Sequence, residues 1–313
     1  QTSTTLGAFN LNKATAFSPG HITGLFQICD HAPDPLLKGS RGAGISIKHG
    51  VTTKVTLKPS SKPSFKIRIN ETPTKTARVS EHVINSFLSY IGQNYEISVE
   101  HEVTVPIGSG FGSSGAGALS LALALNEALN LGLTHTKTAQ IAHTAEVECK
   151  TGLGTVIAET FGGVEIRVEP GAPGIGKIEP IPVSDDYAVV CLNIGPLSTK
   201  KFLSDEKIRH RINETGEKLI DRLIAQPSPT NFMVFSRIFA EDIGLISPRL
   251  RKILKETDTM GTTCSVAIFG ESIFSLIKRN ETEEILEIFR KHAPSKNSVF
   301  ITEIDFKGAR LVD

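Results

Sequence analysis

Through the first third of the chain, short runs of branched and aromatic residues alternate with turn residues. Gly44 to Lys48, Val51 to Leu57, Phe65 to Ile69 and Tyr95 to Val105 each predict a strand, so this part is expected to be β-rich. Between them, Ala77 to Ile91 carries Val83, Ile84, Phe87, Leu88 and Ile91 at helical spacing, which predicts a helix with one apolar face. The period then changes. Ser114 to Leu131 is apolar nearly all round, the pattern of a helix buried against a sheet, and Thr136 to Cys149 predicts another helix after the break Gly132-Leu133-Thr134.

Glycine and proline concentrate in EPGAPGIGKIEPIP, from Glu169 to Pro182, and the strand-like run Tyr187 to Asn193 comes next. A domain boundary is therefore expected near residue 184, dividing the chain into 1–184 and 185–313. In the second part Ser204 to Ala225, Thr230 to Leu245, Pro248 to Thr257 and Glu281 to Lys291 predict helices, and Ser265 to Phe269 and Ser298 to Ile304 predict strands. This is the pattern of a smaller α/β unit, and the whole chain reads as α+β.

Composition narrows the function. The chain has 313 residues with 39% hydrophobic content, enough to bury a sizeable core. Lys plus Arg number 34 against 33 Asp plus Glu, a formal charge of +1, so nothing drives the protein as a whole toward nucleic acid or an anionic membrane. Cys29, Cys149, Cys191 and Cys264 form no CxxC pair, which argues against a zinc site and a disulfide framework and favours a reducing cytoplasm. No apolar run reaches the roughly 18 residues that span a bilayer, and the opening QTSTTLGAFNLNKATAF has no basic region followed by an apolar one, so neither a membrane segment nor a targeting signal is expected.

The candidate chemistry lies in VPIGSGFGSSGAGALSLALALNEALN, where a strand leads into glycines at 108, 110, 112, 115 and 117 and then into the long apolar helix. Glycine lets backbone N–H groups approach an anion, and the start of a helix adds partial positive charge. No Gly-Lys-Ser/Thr follows, and the spacing is not that of a dinucleotide fingerprint. Ser113 or Ser114 is also placed to cap the helix, so a tight turn with two capping serines is the plainer alternative. The run PIGSGFGSSGAG resembles the second motif of the GHMP kinases, Pro-x-x-x-Gly-Leu-Gly-Ser-Ser-Ala, with Phe111 for Leu and Gly115 for the first Ala. The resemblance implies a two-part fold, a β-rich N-terminal domain with buried helices and a ferredoxin-like C-terminal domain. It also implies that ATP lies over Pro106, Gly108, Gly110, Gly112, Ser113, Ser114, Gly115 and Ala116, with Ser114 reaching the metal-bound phosphates.

Other segments extend the resemblance. AFSPGHITGLFQI looks like the family's first motif, which puts His21 and Thr23 in a substrate-facing segment. Together with KGSRGAGISI it is similar to the archaeal pantoate kinases within the family, which implies pantoate, a small hydroxy acid, as the phosphate acceptor. In AQIAHTAEVECKTG, His143, Glu146 and Lys150 recur at i, i+3 and i+7 and share a helix face, whereas Glu148 points elsewhere. A carboxylate aimed at the phosphate loop is what Mg²⁺ needs. The resemblance gives that role to Glu146, together with Ser114, and puts His143 close to the substrate. A buried core histidine and a solvated glutamate are the bland alternatives.

One departure stands out. Where many members carry Ser-Gly-x-Asp, this chain has Gly154 and Thr155 in TGLGTVIAETFGG, and threonine is no base near neutral pH. Phosphoryl transfer still rests chiefly on positioning and charge stabilisation. Arg167 is the first candidate to clamp an acceptor carboxylate and Arg41 the second, and Gly261 in DTMGTTCSVAIFG is where the third family motif falls. Competing readings are a mevalonate, homoserine or shikimate type of kinase, a phosphoribosyl pyrophosphate-using transferase on the same scaffold, and a non-catalytic binding protein. Many members dimerise, so a homodimer is also open.

Overall fold

The computed structural model describes residues 12–197 and 205–313. The first eleven residues, read above as free of a targeting signal, and the expected helix start at Ser204 lie outside the described residues. The first sheet and its connections contain β1 (Asn12–Cys29), β2 (Gly39–Pro59), β3 (Ser64–Ile69), β4 (Thr72–Thr74), α1 (Arg78–Leu88), β5 (Tyr95–Val103), α2 (Ser113–Ala128), α3 (His135–Cys149), α4 (Thr155–Phe161), β6 (Val164–Glu169) and β7 (Lys177–Pro180). The second contains β8 (Tyr187–Pro196), α5 (Glu206–Ala225), α6 (Pro229–Asp242), α7 (Pro248–Asp258), β9 (Ser265–Val266), β10 (Gly270–Lys278), α8 (Thr282–His292) and β11 (Val299–Thr302), and β12 (Arg310–Val312) closes the chain.

The first sheet runs β12-β1-β2-β5-β3-β4, with β6 on β2 and β7 on β6. The two strands expected at 44–48 and 51–57 are one, because the residues between them form a bulge and not a turn. Pro19 pairs with Gly50 but Gly20 pairs with Ile47, and a side chain at Gly50 would collide with the Ser18 carbonyl. On the side away from β1, β2 changes partner across this bulge, pairing with β6 through Gly42–Ile45 and with β5 through Val51–Pro59. Helices α1, α2 and α3 cover the sheet. Leu119, Leu121, Ala122 and Leu125 of α2 are buried with Val83 and Phe87 of α1 and with Val55, Ile97 and Val99 of the sheet, as the all-round apolar pattern of α2 requires.

The second sheet runs β11-β8-β10-β9, all pairs antiparallel. With helices after β8 and β10, this is the strand order of a ferredoxin-like split βαβ. The strand expected over 265–269 stops at Val266. Ala267–Phe269 make a tight turn, with Phe269 at φ 63°, and the inner strand beside β8 is β10, which the continuous apolar character of the segment hid. The tail then returns to the first sheet, where Ile304 bridges Ile47 and Val312 pairs with Thr15.

The turn before β10 is the point where the two sheets meet the glycine loop. The Ile268 N–H donates to the Thr23 carbonyl, Ser272 Oγ donates to the Ser109 carbonyl at 2.9 Å, and a Cβ at Gly270 would overlap that same carbonyl. Gly270→Ala is therefore expected to push Ser109 and the loop out of place and to lower stability by about 1–3 kcal/mol, measured by denaturant unfolding.

Candidate active site

The loop between β5 and α2 is built to leave a helix end open. Gly108, Gly110 and Gly112 have φ of 71°, 88° and 69°, conformations that favour glycine. Gly112 is the N-cap and has no side chain to offer, and Ser113 and Ser114 are the first helical residues, so neither serine caps the helix as one alternative supposed. The first intrahelical bond runs from the Ala116 N–H to the Gly112 carbonyl. Among the described residues the N–H groups of Ser113, Ser114 and Gly115 have no acceptor, which is the arrangement that binds an anion. Ala116 is buried behind them, Pro106 starts the loop and is half-buried, and Gly108 packs on Pro196.

Ser114 is exposed at this helix end, and its Oγ donates to Glu146 Oε1 at 2.5 Å. Thr151 Oγ1 donates to the same oxygen at 2.7 Å, and Gly152 lies so close to Oε2 that a Cβ there would collide with it. Glu146 is 2% exposed. Burial pushes its carboxyl above the usual range, against the two hydroxyl hydrogen bonds that favour the ionised form. A hard cation next to bound phosphates needs a carboxylate and a hydroxyl at that distance from an anion site, and Ser114 with Glu146 fits it. Among the described residues no cluster of three or more acidic, His or Cys side chains holds a metal by itself, so phosphate oxygens would have to complete the shell. Thr155 begins α4, and its methyl group packs against Gly112 and Gly115.

A buried ionic network adjoins the loop. His21 Nε2 lies 3.0 Å from Glu165 Oε1, Arg167 Nη1 donates to the same oxygen at 2.5 Å, and all three side chains are at most 2% exposed. These residues come from β1 and β6, on either side of β2, and they meet because β2 has glycines between them. A Cβ at Gly42 would come 2.5 Å from Arg167 Nη2, and one at Gly44 would collide with the His21 ring. This explains the run Ser40-Arg41-Gly42-Ala43-Gly44. Ser40 Oγ and Arg167 Nε both crowd Gly154, beside Thr155, and Arg167 Nε has no hydrogen-bond partner among the described residues. The main-chain N–H of His21 donates to the Phe111 carbonyl, tying this network to the glycine loop.

Other expected residues have structural partners. Arg41 donates to the Val168 carbonyl, to Gln27 and, at 2.7 Å, to Asp221 of α5, so its guanidinium joins the two parts of the chain. His143 is buried, with Nε2 donating to the Pro35 and Lys38 carbonyls at 3.1 and 3.0 Å. It pins the segment that leads to Ser40, and burial pushes its imidazole below the usual range. Lys150, expected on the same face, is exposed and ends the helix at φ 58°, and Glu148 pairs with His82. Gly261 follows α7 at φ 75° with no neighbour against it, and the glycine loop is met instead by Ala267, Ile268, Gly270 and Ser272, as well as by Pro196 and Leu197.

Two carboxylates escaped the sequence reading. Glu165 holds His21 and Arg167 together. Glu159 lies one turn after Thr155 on α4, with its oxygens facing Gly112 and Gly115 from beneath, 2.6 and 2.9 Å from where their Cβ atoms would be. It is fully buried, and neither oxygen has a hydrogen-bond partner among the described residues. Burial, followed by the negative charge of Glu146 and Glu165, pushes its carboxyl well above the usual range. The i, i+4 spacing of Thr155 and Glu159 was the available signal.

An open helix end that carries a serine, a carboxylate and a glycine loop is an arrangement suited to phosphoryl groups. Residues 77–163 match the family GHMP kinases N terminal domain. The chain is 38% identical over 275 residues to a pantoate kinase of Methanocaldococcus jannaschii, covering 88% of this chain and 96% of that protein. It is 34% identical over 279 residues to a pantoate kinase of Thermococcus kodakarensis, covering 87% and 90%. A solved structure described as a phosphotransferase related to the CoA biosynthesis pathway superposes with a TM-score of 0.86 at 32% identity, covering 96% of this chain and 98% of the other. The chain belongs to the GHMP kinases.

Glu159 has a measurable consequence. The unfolded chain releases this proton at the ordinary value of about 4.3, whereas the fold retains it, so stability falls as pH rises above that value. Glu159→Gln is expected to melt above the parent at pH 8, by roughly 2–4 °C for each kcal/mol recovered, with the difference closing as pH falls to about 4. Thermal unfolding across that range checks it.

Proposed function

We propose that the protein transfers the γ-phosphate of ATP to the 4-hydroxyl of pantoate, giving 4-phosphopantoate for coenzyme A biosynthesis. The observation that carries this reading is the Ser114–Glu146 pair at the open start of α2; Gly152 of the α3–α4 connection lies against Glu146, and Gly154 two residues on lies against the buried Arg167. The relatives named above support the choice of acceptor. In this reading the glycine loop and the free N–H groups of α2 hold the nucleotide phosphates, and Ser114 and Glu146 hold Mg²⁺, which neutralises charge on those phosphates. Arg167 meets the acceptor's carboxylate through Nε, which has no hydrogen-bond partner among the described residues. Both parts of the chain contribute, through the first-sheet cleft and the turn at Ala267–Gly270. The four unpaired cysteines fit a cytoplasmic setting, and no helix among the described residues is long and apolar enough to cross a membrane.

ADP release from Mg-ATP with pantoate, mevalonate, homoserine and shikimate tests the assignment. Stimulation by pantoate alone is expected, and stimulation by another alcohol alone would replace the acceptor. Thr155 favours a second reading, a binding protein disabled in catalysis. In that case every alcohol would be silent, and Thr155→Asp would then restore turnover if only the base were missing. In the parent, Ser114→Ala and Glu146→Ala are each expected to lower kcat about a hundredfold or more with the fold intact by circular dichroism. Arg167→Ala is expected to raise KM for the acid roughly tenfold to a hundredfold, read from initial rates.

A further inference from the structure

Residue 155 is a threonine, so the proton released when an alcohol attacks phosphorus needs another acceptor. Thr155 and His21 flank the same residue of the phosphate loop. A Cβ at Gly112 would lie 3.0 Å from the Thr155 methyl carbon and 3.0 Å from the main-chain nitrogen of His21. Alternation along β1 puts Thr23 on the face of His21, and Thr23 Oγ1 lies 3.3 Å from His21 Nδ1. The other ring nitrogen lies 3.0 Å from Glu165 Oε1. A carboxylate held by Arg167 can only accept, so the ring proton belongs on Nε2 and Nδ1 is left as an acceptor toward the Thr23 hydroxyl. Of the three groups, His21 and Glu165 are enclosed and Thr23 is partly exposed. The order is hydroxyl, imidazole and carboxylate, with the partly exposed Thr23 hydroxyl at its open end.

We propose that Thr23, His21 and Glu165 form a proton relay that serves this kinase in place of a carboxylate at residue 155. The proposal rests on the kinase reading above. As the acceptor oxygen bonds to the γ-phosphorus, its proton passes to Thr23 Oγ1 while the Thr23 proton passes to His21 Nδ1. The bond from phosphorus to the bridging oxygen breaks, and its electron pair leaves with ADP. The imidazolium formed is paired with Glu165, and it gives the proton to water once products leave, so one proton is released per phosphoryl group transferred. The oriented carboxylate holds the tautomer, as in any relay in which a third group fixes the base. The groups at the His21 ring are Thr23 of its own strand, Glu165 from β6 and Gly44 from β2, with Arg167 bonded to Glu165, and the Phe111 carbonyl accepts from the His21 main-chain N–H.

The test compares the parent with His21→Gln, Thr23→Val and Thr23→Ser on the alcohol that the parent phosphorylates best. A parent that phosphorylates no alcohol would overturn the kinase reading, and the relay with it. With an active parent, His21→Gln and Thr23→Val are expected to lower kcat about a hundredfold with KM for ATP within about twofold, whereas Thr23→Ser keeps most of the parent's rate. Thr155→Asp in the His21→Gln background should restore rate. Unchanged kcat in His21→Gln would overturn the relay. So would a Thr23→Val variant as fast as Thr23→Ser, which keeps the proposal testable if replacement of His21 prevents folding.

Discussion

Three backbone N–H groups at the start of α2 find no acceptor among the described residues, and the surrounding structure keeps them that way. A helix of 16 residues with leucine and alanine on every side is fixed by the core, so its end cannot move to find a partner. Gly112 at φ 69° turns the chain into the helix without supplying a capping oxygen. An anion brought by a ligand is the natural completion, and the neighbouring side chains are arranged around that need: Ser114 and Glu146 on one flank, Thr155 and Glu159 behind, and the His21–Glu165–Arg167 network on the other flank.

Holding four charged or ionisable side chains, Glu146, Glu159, Glu165 and Arg167, almost completely out of water has a structural requirement as well as an energetic one. Glycines supply the space. Gly42 and Gly44 let β1 and β6 side chains meet across β2, Gly152 and Gly154 bring the α3–α4 connection down onto Glu146 and Arg167, and Gly270 admits the Ser109 carbonyl. The second sheet reaches the loop through the turn before β10, through Pro196 at the end of β8, which meets Gly108, and through Phe300 of β11, whose ring packs on Phe111; Arg41 fastens α5 to the first sheet through Asp221. The site is therefore a wall of the first sheet closed at one end by the second.

Local features were legible in the sequence. The glycines and serines at 106–118 act through their own backbone, and α2 showed its burial in its composition. Glu146 was legible because one helix face and a family motif agree on it. Features that depend on other strands were not. Glu165 becomes important only when Gly42 and Gly44 lie between it and His21, and His143 is claimed by two carbonyls more than a hundred positions away along the chain. The lack of a capping side chain at Gly112 became visible only with its φ angle, and β10 was lost in an apolar run whose turn depends on Phe269 at φ 63°.

The most direct test of this arrangement is calorimetric titration of ATP with and without magnesium into the parent and Glu146→Gln. If the open helix end holds the phosphates and Glu146 holds the metal, both proteins bind metal-free ATP equally, and magnesium strengthens binding in the parent alone. The same gain from magnesium in both proteins would contradict it.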